Sequence, residues 1–195
     1  DKFWQAWVKL RLGEMWYEQG QSEKALLLIT EAFQTAEEVQ NRVFLAAVLY
    51  HWGIALLNQT DWAAAEAKFQ RAYDLWQEKG KTENALSALA GLAYVAYQQE
   101  DGVTAVTHAE NLWQAWQKKP IWAERANLKL YWQLGTVWDG SGDSRANDLW
   151  PKAHALLRQR SQKIPDAEAR KKFLEQVPVH QAILHPKNNS TAVEL

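Results

Sequence analysis

Residues 52–72 read WGIALLNQTDWAAAEAKFQRA, which is two helical patterns joined by a polar turn. Gly53 stands in the first pattern, and Ala65, Phe69 and Ala72 share one face of the second. Small residues on facing surfaces let two antiparallel helices approach closely, while the Phe69 ring fills the space beside them. This stretch therefore predicts a helical hairpin.

Small residues recur through the chain at a fixed interval. Ala25, Ala65 and Ala105 lie 40 residues apart, and each follows a polar turn. Twelve positions before each alanine stands another small residue, and a fourth copy with a turn one residue shorter follows the third. These further positions are Gly13, Gly53 and Ala93, then Gly135, Ala146 and Ala153 in the fourth copy. A period of this size is typical of stacked repeats.

The four copies resemble the tetratricopeptide repeat (TPR), which places a large residue and then Gly in its first helix and Ala, a bulky residue and Ala in its second. The matching residues are Leu12, Gly13, Trp16, Gly20, Ala25, Ile29 and Ala32, then Trp52, Gly53, Leu56, Ala65, Phe69 and Ala72, then Leu92, Ala93, Ala96, Ala105 and Ala109, and finally Leu134, Gly135, Trp138, Gly142, Ala146, Trp150 and Ala153. The familiar unit has about 34 residues, so these longer units require longer helices. The resemblance implies an all-α fold, a right-handed superhelix (α-solenoid) of four TPR-like hairpins with a C-terminal capping helix.

Apolar spacing of three and four residues predicts the helix boundaries independently of that resemblance. The eight predicted helices cover 3–18, 23–38, 42–58, 62–78, 83–98, 103–117, 121–138 and 144–161. Gly20 and Gly80 suit a left-handed residue after a helix, and Asp61, Thr82 and Asp143 suit N-caps. We therefore expect one domain over 1–184, with repeats at about 3–40, 41–80, 81–119 and 120–163, a capping segment at 164–184 and a flexible tail at 185–195.

The capping segment carries a second resemblance. Its residues Ile164-Pro165-Asp166, Arg170, Phe173-Leu174 and Val177-Pro178 resemble the end of helical-repeat arms in bacterial multidomain signalling ATPases of the STAND and AAA-type classes. The sequence has no GxxxxGK followed by Ser or Thr, so the resemblance implies an arm whose ATPase lies elsewhere in a parent chain. A chain that begins with Asp1 fits an excised piece. Asp166 is predicted to cap a short helix, with Phe173, Leu174 and Val177 covering the last repeat.

Composition excludes several classes of function. The 195 residues are 47% hydrophobic, which is enough for a continuous core. The 22 Lys and Arg against 23 Asp and Glu leave no basic excess for nucleic acid. Neither an apolar run of about 18 residues nor a leader occurs, so we expect a soluble, cytoplasmic protein with no membrane partner. The absence of cysteine excludes a disulfide framework and thiolate metal sites.

The sequence offers little chemistry for catalysis or metal binding. The five histidines form no pair at a spacing of three or four, so we expect no metal and no cofactor. Neither a nucleophile elbow nor a Gly-rich phosphate loop is present, so we expect no enzyme activity. An enzyme stays an alternative, which a polar pocket with strongly perturbed titratable groups would support.

In the TPR architecture the first helix of each unit lines the concave surface, which we call the inner wall. Its positions not used for packing are Trp7, Leu10, Glu14, Tyr17, Tyr50, Ile54, Leu57, Tyr94, Tyr97, Lys129 and Trp132. Trp7, Leu10, Tyr17, Tyr50, Ile54, Tyr94, Tyr97 and Trp132 are the predicted binding residues. Rigid rings lose little entropy on binding, so this groove suits a peptide, a helix or a flat small molecule. Alternatively, part of it packs against other domains of the parent chain or against the final helix.

The leading hypothesis is a non-catalytic sensor or scaffold module of a larger signalling ATPase. A protein or peptide partner, or a small-molecule effector, would favour one arrangement of the arm and so bias the ATPase. The alternative is self-association with no separate ligand, through exposed rings such as Trp4, Trp62, Trp76 or Trp122. The tryptophans Trp16, Trp52, Trp138 and Trp150 are instead predicted to fill the space between paired helices.

Overall fold

The computed structural model describes residues 1–120 and 127–186. These residues form ten α-helices and no strand. The helices are α1 (Lys2–Glu18), α2 (Ser22–Glu38), α3 (Arg42–Leu57), α4 (Trp62–Glu78), α5 (Thr82–Gln98), α6 (Gly102–Lys118), α7 (Leu128–Gly140), α8 (Ala146–Gln162), α9 (Ala167–Glu175) and α10 (Pro178–Leu184).

The first eight helices pack as successive hairpins. α1 packs on α2, α3 on α4, α5 on α6 and α7 on α8, and the second helix of one hairpin packs on the first helix of the next, as α2 does on α3 and α4 on α5. One continuous hydrophobic core runs through these contacts. The prediction of an all-α solenoid built from TPR-like hairpins is confirmed.

Glycine sets the distance between the two helices of a hairpin. A Cβ added at Gly53 would lie 2.7 Å from Cε1 of Phe69, and one at Gly135 would lie 2.7 Å from Cζ2 of Trp150. Both distances are well below the roughly 3.5 Å at which two carbon atoms attract each other best. A side chain at either glycine would therefore require the facing ring to shift, in agreement with the spacing of small residues.

The turns between helices use the left-handed region of backbone space. Gly20 and Gly80 have φ of 77° and 65°, which confirms the prediction that each follows a helix in this conformation. The turn between α7 and α8 likewise uses Gly142, with φ 70°, whereas three other turns place a residue with a side chain there, with φ between 52° and 63°: Gln40, Thr60 and Glu100. One turn geometry thus repeats even where the sequence lacks glycine.

The predicted N-caps have three outcomes. Asp61 caps α4, because its carboxylate accepts a hydrogen bond of 3.2 Å from the Ala64 amide, as predicted. Thr82 was predicted wrongly as a cap, since it is the first residue of α5. The prediction for Asp143 is wrong, because the N-cap of α8 is Arg145; the Asp143 carboxylate instead accepts a 2.9 Å hydrogen bond from the Arg145 amide in the turn before the helix.

The seventh helix differs from the prediction of one continuous helix over 121–138. Asn127 is extended, with φ −76° and ψ 158°, and its side-chain oxygen accepts a 2.8 Å hydrogen bond from the Leu130 amide. A new helix therefore begins at Leu128, and a helix that passes through residue 127 is wrong. Residues 121–126, where the predicted helix starts, lie outside the described residues.

The helices α9 and α10 close the end of the solenoid against α7 and α8. Asp166 caps α9, as predicted, by accepting a 2.7 Å hydrogen bond from the Ala169 amide. Phe173 and Leu174 are partly buried against the core, and Ile183 of α10 is fully buried. The Arg170 guanidinium donates to two backbone carbonyls just before α9, those of Ile164 and Pro165.

Candidate functional site: the inner wall

The inner wall is built from the first helices of the hairpins, α1, α3, α5 and α7. The helices α3 and α5 each bury eleven residues, whereas the second helices α2 and α6 each bury four. A helix that is apolar on all sides is enclosed by neighbours, whereas a one-sided helix faces solvent. The inner helices α3 and α5 therefore contact other helices on more than one face.

The predicted binding residues are mostly enclosed. Five of the eight are at most 9% exposed: Leu10, Tyr17, Tyr50, Ile54 and Tyr94. Tyr97 and Trp132 are half-buried, and Trp7 is 42% exposed. The expectation that all eight line an open groove is therefore corrected, because only three reach solvent in this conformation. Whether these residues bind a partner stays a prediction.

The first turns of α7 cover the inner wall. The Trp132 ring lies 4.7 Å from the Tyr94 ring of α5, and the Lys129 ammonium lies 4.4 Å from the centre of the Tyr17 ring of α1. The Asn127 side chain, which caps α7, hydrogen-bonds to the Tyr50 hydroxyl of α3. The chain therefore fills part of its own groove with the start of α7.

A partly buried hydrogen bond joins the first two hairpins at the inner wall. The Tyr17 hydroxyl and Nδ1 of His51 are 2.8 Å apart. Burial raises the pKa of Tyr17 well above its ordinary value, so the hydroxyl keeps its proton and donates it. Burial lowers the pKa of His51 to about 3, with smaller contributions from the positive charges of Lys129 and Arg11. The imidazole is therefore neutral near pH 7, accepts at Nδ1 and carries its proton on Nε2.

Charged groups occur beside this hydrogen bond. Burial lowers the pKa of Lys129 to about 8, although Glu18 and Glu14 act to raise it. Burial also raises the pKa of Glu14, which forms an ion pair with Arg11 on the same helix. The inner wall thus places the half-buried ammonium of Lys129 near Glu14 and Glu18 of α1, at the point where α7 approaches α1.

Two cavities in the described part of the chain lie away from these perturbed groups. One of about 380 Å³ lies between α5, α6 and α7 and is lined by Tyr97, Val106, Val137 and Gly140. A Cβ at Gly140 would collide with the Tyr97 ring, so a larger residue there would require that ring to move. The other, of about 500 Å³, lies at the cap. Over 1–120 and 127–186, no three His, Asp or Glu side chains are placed to hold a metal ion.

The tryptophans divide between core and surface. Trp138 is fully buried, and the Trp150 ring lies against Gly135, as the packing prediction requires. Trp4 is 60% exposed, whereas Trp76 is only 3% exposed, so its role as a surface contact for self-association is wrong. Trp62 is half-buried, and Trp122 lies outside the described residues. Self-association through Trp4 stays a prediction.

The covering role of α7 was missed at the sequence level, although Lys129 and Trp132 were placed on the inner wall. The available signal was Asn127, an N-cap residue that immediately precedes the apolar pattern of α7. A helix start at that point would have separated α7 from the residues before it. No described helix combines the length and the apolar character that a bilayer span requires.

No protein-family model matches the sequence, and no curated protein matches it significantly. Among solved structures, the chain is similar to a crystal structure from Podosopora anserina described as kinesin light chain nearly identical TPR-like repeats. The TM-score is 0.56 with 15% sequence identity, and the match covers 92% of this chain and 96% of the other. At this identity the likeness shows the fold alone. The fold is that of the TPR-like helical-repeat proteins.

Proposed function

We propose that the chain is a non-catalytic interaction module that holds a protein or peptide partner at its inner wall. One observation carries the proposal: Tyr17, Tyr50 and Tyr94 of three successive hairpins face one surface, and the start of α7 lies over all three. Tyrosine offers a large contact area and loses little rotamer entropy when it is immobilised. A row of such rings from repeated hairpins suits an extended or helical partner.

The partner would approach at Tyr97 and Trp132, the two half-buried members of the wall. Trp132 contacts Tyr94 through a tilted ring pair, and such a pair contributes about 0.5–1.5 kcal/mol beyond its buried area. A partner that presents its own aromatic or aliphatic side chain can therefore compete with Trp132 for the Tyr94 ring. Binding would then favour the arrangement in which α7 has moved away from α5. The size of this shift is limited by the difference in the partner's affinity for the two arrangements.

We further propose that the module is an arm of a cytoplasmic signalling ATPase, with the ATPase elsewhere in the parent chain. Its support is the capping segment, in which Arg170 holds the turn at Ile164 and Pro165 while Asp166 caps the next helix. The residues that resemble the end of such arms thus work together as one fold element. A small-molecule effector is the alternative ligand of the same wall.

Photocrosslinking from defined positions tests the binding surface. A photoreactive amino acid in place of Trp132 or Tyr97 should crosslink the partner in cells that express the parent protein. The matched control position is Val103, which is 80% exposed on the second helix α6 and should give no adduct. Adducts from Val103 alone, or equal adducts from all three positions, would contradict binding at the inner wall.

A further inference from the structure

The first helix carries an unpartnered apolar face. Val8, Leu12 and Met15 are 50%, 43% and 55% exposed. Their spacings of four and three residues place them on one face of α1. Among the described residues, no helix lies against this face. Three large apolar side chains in a row, each about half exposed, mark a surface that differs from isolated apolar residues on a protein surface.

The repeat register shows what this face does in the next two hairpins. The residues 40 and 80 positions later are Val48 and Ala88 for Val8, Trp52 and Leu92 for Leu12, and Ala55 and Val95 for Met15. Five of these six counterparts are at most 4% exposed, and Trp52 is half-buried. The same face is therefore covered in α3 and in α5 and uncovered in α1.

The cover in α3 and α5 is the second helix of the preceding hairpin. The Trp52 ring of α3 lies 5.3 Å from the Phe33 ring of α2. On α5, a Cβ added at Gly91, next to Leu92, would lie 2.8 Å from the ring of Phe69 in α4. The face of α1 that holds Leu12 therefore corresponds, residue by residue, to the face with which α3 packs on α2 and α5 packs on α4.

We propose that this face of α1 is a docking surface for the second helix of one further hairpin of this repeat. The occupant is an amphipathic helix with a large apolar residue in the position of Phe33 or Phe69. A second copy of this chain does not supply this helix as its α2 or its α4, because those helices already pack on α3 and α5 of the same copy. Its α8 is likewise occupied, by α9 and α10.

The start of α1 also fits such a junction. The Asp1 carboxylate accepts a 2.9 Å hydrogen bond from the Phe3 amide, and Asn41 caps α3 by accepting a 3.0 Å bond from the Phe44 amide. Asp1 and Asn41 are 40 residues apart and so hold the same register position. A hairpin that ends at Gln40 can therefore be joined to Asp1 in the way that Gln40 is joined to Asn41.

The test uses a tandem chain in which a copy of residues 1–40 precedes the whole sequence. Because the chain has no cysteine, Leu12→Cys provides a single reactive thiol. In the unextended chain this thiol should react rapidly with a soluble maleimide. In the internal α1 of the tandem chain it should react at least about tenfold more slowly, because the reaction then requires local opening of the helix packing. The control is Leu27→Cys, whose site is 64% exposed on α2 and which should react rapidly in both chains.

A second pair of variants makes the result independent of thiol chemistry. Val8→Glu with Met15→Glu in the internal α1 should remove the protection and lower the denaturation midpoint of the tandem chain, while the same pair leaves the midpoint of the unextended chain unchanged. Equal thiol rates in the two chains would overturn the proposal. So would a concentration-dependent dimer of the unextended chain that protects the thiol introduced by Leu12→Cys, because a second copy would then be the occupant.

Discussion

The ring of Phe69 occupies the place into which a side chain at Gly53 would project, with only 2.7 Å between its Cε1 and the position of an added Cβ. Phe69 is fully buried. The same ring lies 2.8 Å from the position of a Cβ at Gly91, on the first helix of the next hairpin. One phenylalanine thus fills the space among α3, α4 and α5 and joins two hairpins. Substitution of Phe69 should therefore disturb the packing of both hairpins.

Gly53→Leu should lower the free energy of unfolding by about 1–3 kcal/mol, because the added side chain overpacks the contact with Phe69. Urea denaturation monitored by circular dichroism measures the change. The matched control is Gly102→Ala, since an added Cβ there meets nothing within 4 Å. This control should be neutral or stabilising by up to about 1 kcal/mol. Equal effects of the two variants would show that the close approach at Gly53 is unimportant.

The hairpins could be predicted from sequence because close helix packing is a local steric requirement. Gly53 and Ala65 must be small wherever two helices touch, and the requirement repeats with the unit. The covering of the inner wall could not be predicted in the same way. It depends first on where α7 begins, and the Asn127 side chain decides that point. It depends also on contacts between residues more than a hundred positions apart, such as Lys129 with Tyr17. Periodicity contains no information on such distant contacts.

The stability of the fold should rise between about pH 8 and 10 because of Lys129. Burial lowers the pKa of Lys129 in the folded chain to about 8 from its ordinary 10.5. Between these values the unfolded chain binds more protons than the folded chain, so the free energy of unfolding increases with pH. Above pH 10 two tyrosines oppose this rise. Burial raises the pKa of Tyr17 and of Tyr50 in the folded chain, so the unfolded chain loses these protons first and the free energy of unfolding falls with pH. Urea midpoints from pH 7.5 to 9.5 measure this rise, to which Lys68 adds with the same sign because burial lowers its pKa as well.

The variant Lys129→Met keeps the length of the side chain and removes its titration. Its urea midpoint should change much less over the same pH range, and at pH 7.5 it should be at least as stable as the natural chain, because no charge is buried. Lys118→Met, at an exposed position, serves as the control and should retain the rise. If Lys129→Met shows an undiminished rise, the ammonium of Lys129 is solvated in the folded chain.

His51 should weaken the fold in mild acid. Burial lowers its pKa in the folded chain to about 3 from the ordinary 6.5. Between these values the unfolded chain binds the extra proton, so the free energy of unfolding falls as the pH drops below 6.5. His51→Gln keeps an acceptor for the Tyr17 hydroxyl without titrating. The difference in urea midpoint between pH 7 and pH 5 should therefore be smaller in this variant.

Two other histidines contribute with the same sign, because burial lowers the pKa of His108 and of His180 as well. The acid loss should therefore be reduced in His51→Gln and not abolished. His185→Gln, at an exposed position, is the control and should behave as the natural chain does. An unchanged loss in His51→Gln would mean that the imidazole of His51 is already accessible to protons in the folded chain.

Arg170 should hold the cap on the last hairpin. Its Nε and Nη2 atoms donate to the Ile164 carbonyl at 3.1 and 2.9 Å. The helix α9 buries no residue of its own, so these bonds, with the partly buried Phe173 and Leu174, keep it in place. Hydrogen bonds that involve a charged group contribute about 1.5–3 kcal/mol. Arg170→Ala should therefore release α9 and α10 locally while the four hairpins remain folded.

Hydrogen–deuterium exchange distinguishes this local opening from general destabilisation. In Arg170→Ala, amides of α10 should exchange at least about tenfold faster, since a loss of about 1.4 kcal/mol changes the opening equilibrium by that factor, while amides of α3 and α5 keep their rates. Arg170→Lys should give an intermediate result, because lysine retains the charge and loses the planar pair of donors. Lys171→Ala, at the exposed neighbouring position, should change nothing. Unchanged exchange in α10 of Arg170→Ala would mean that the buried Ile183 anchors the cap without help from the guanidinium.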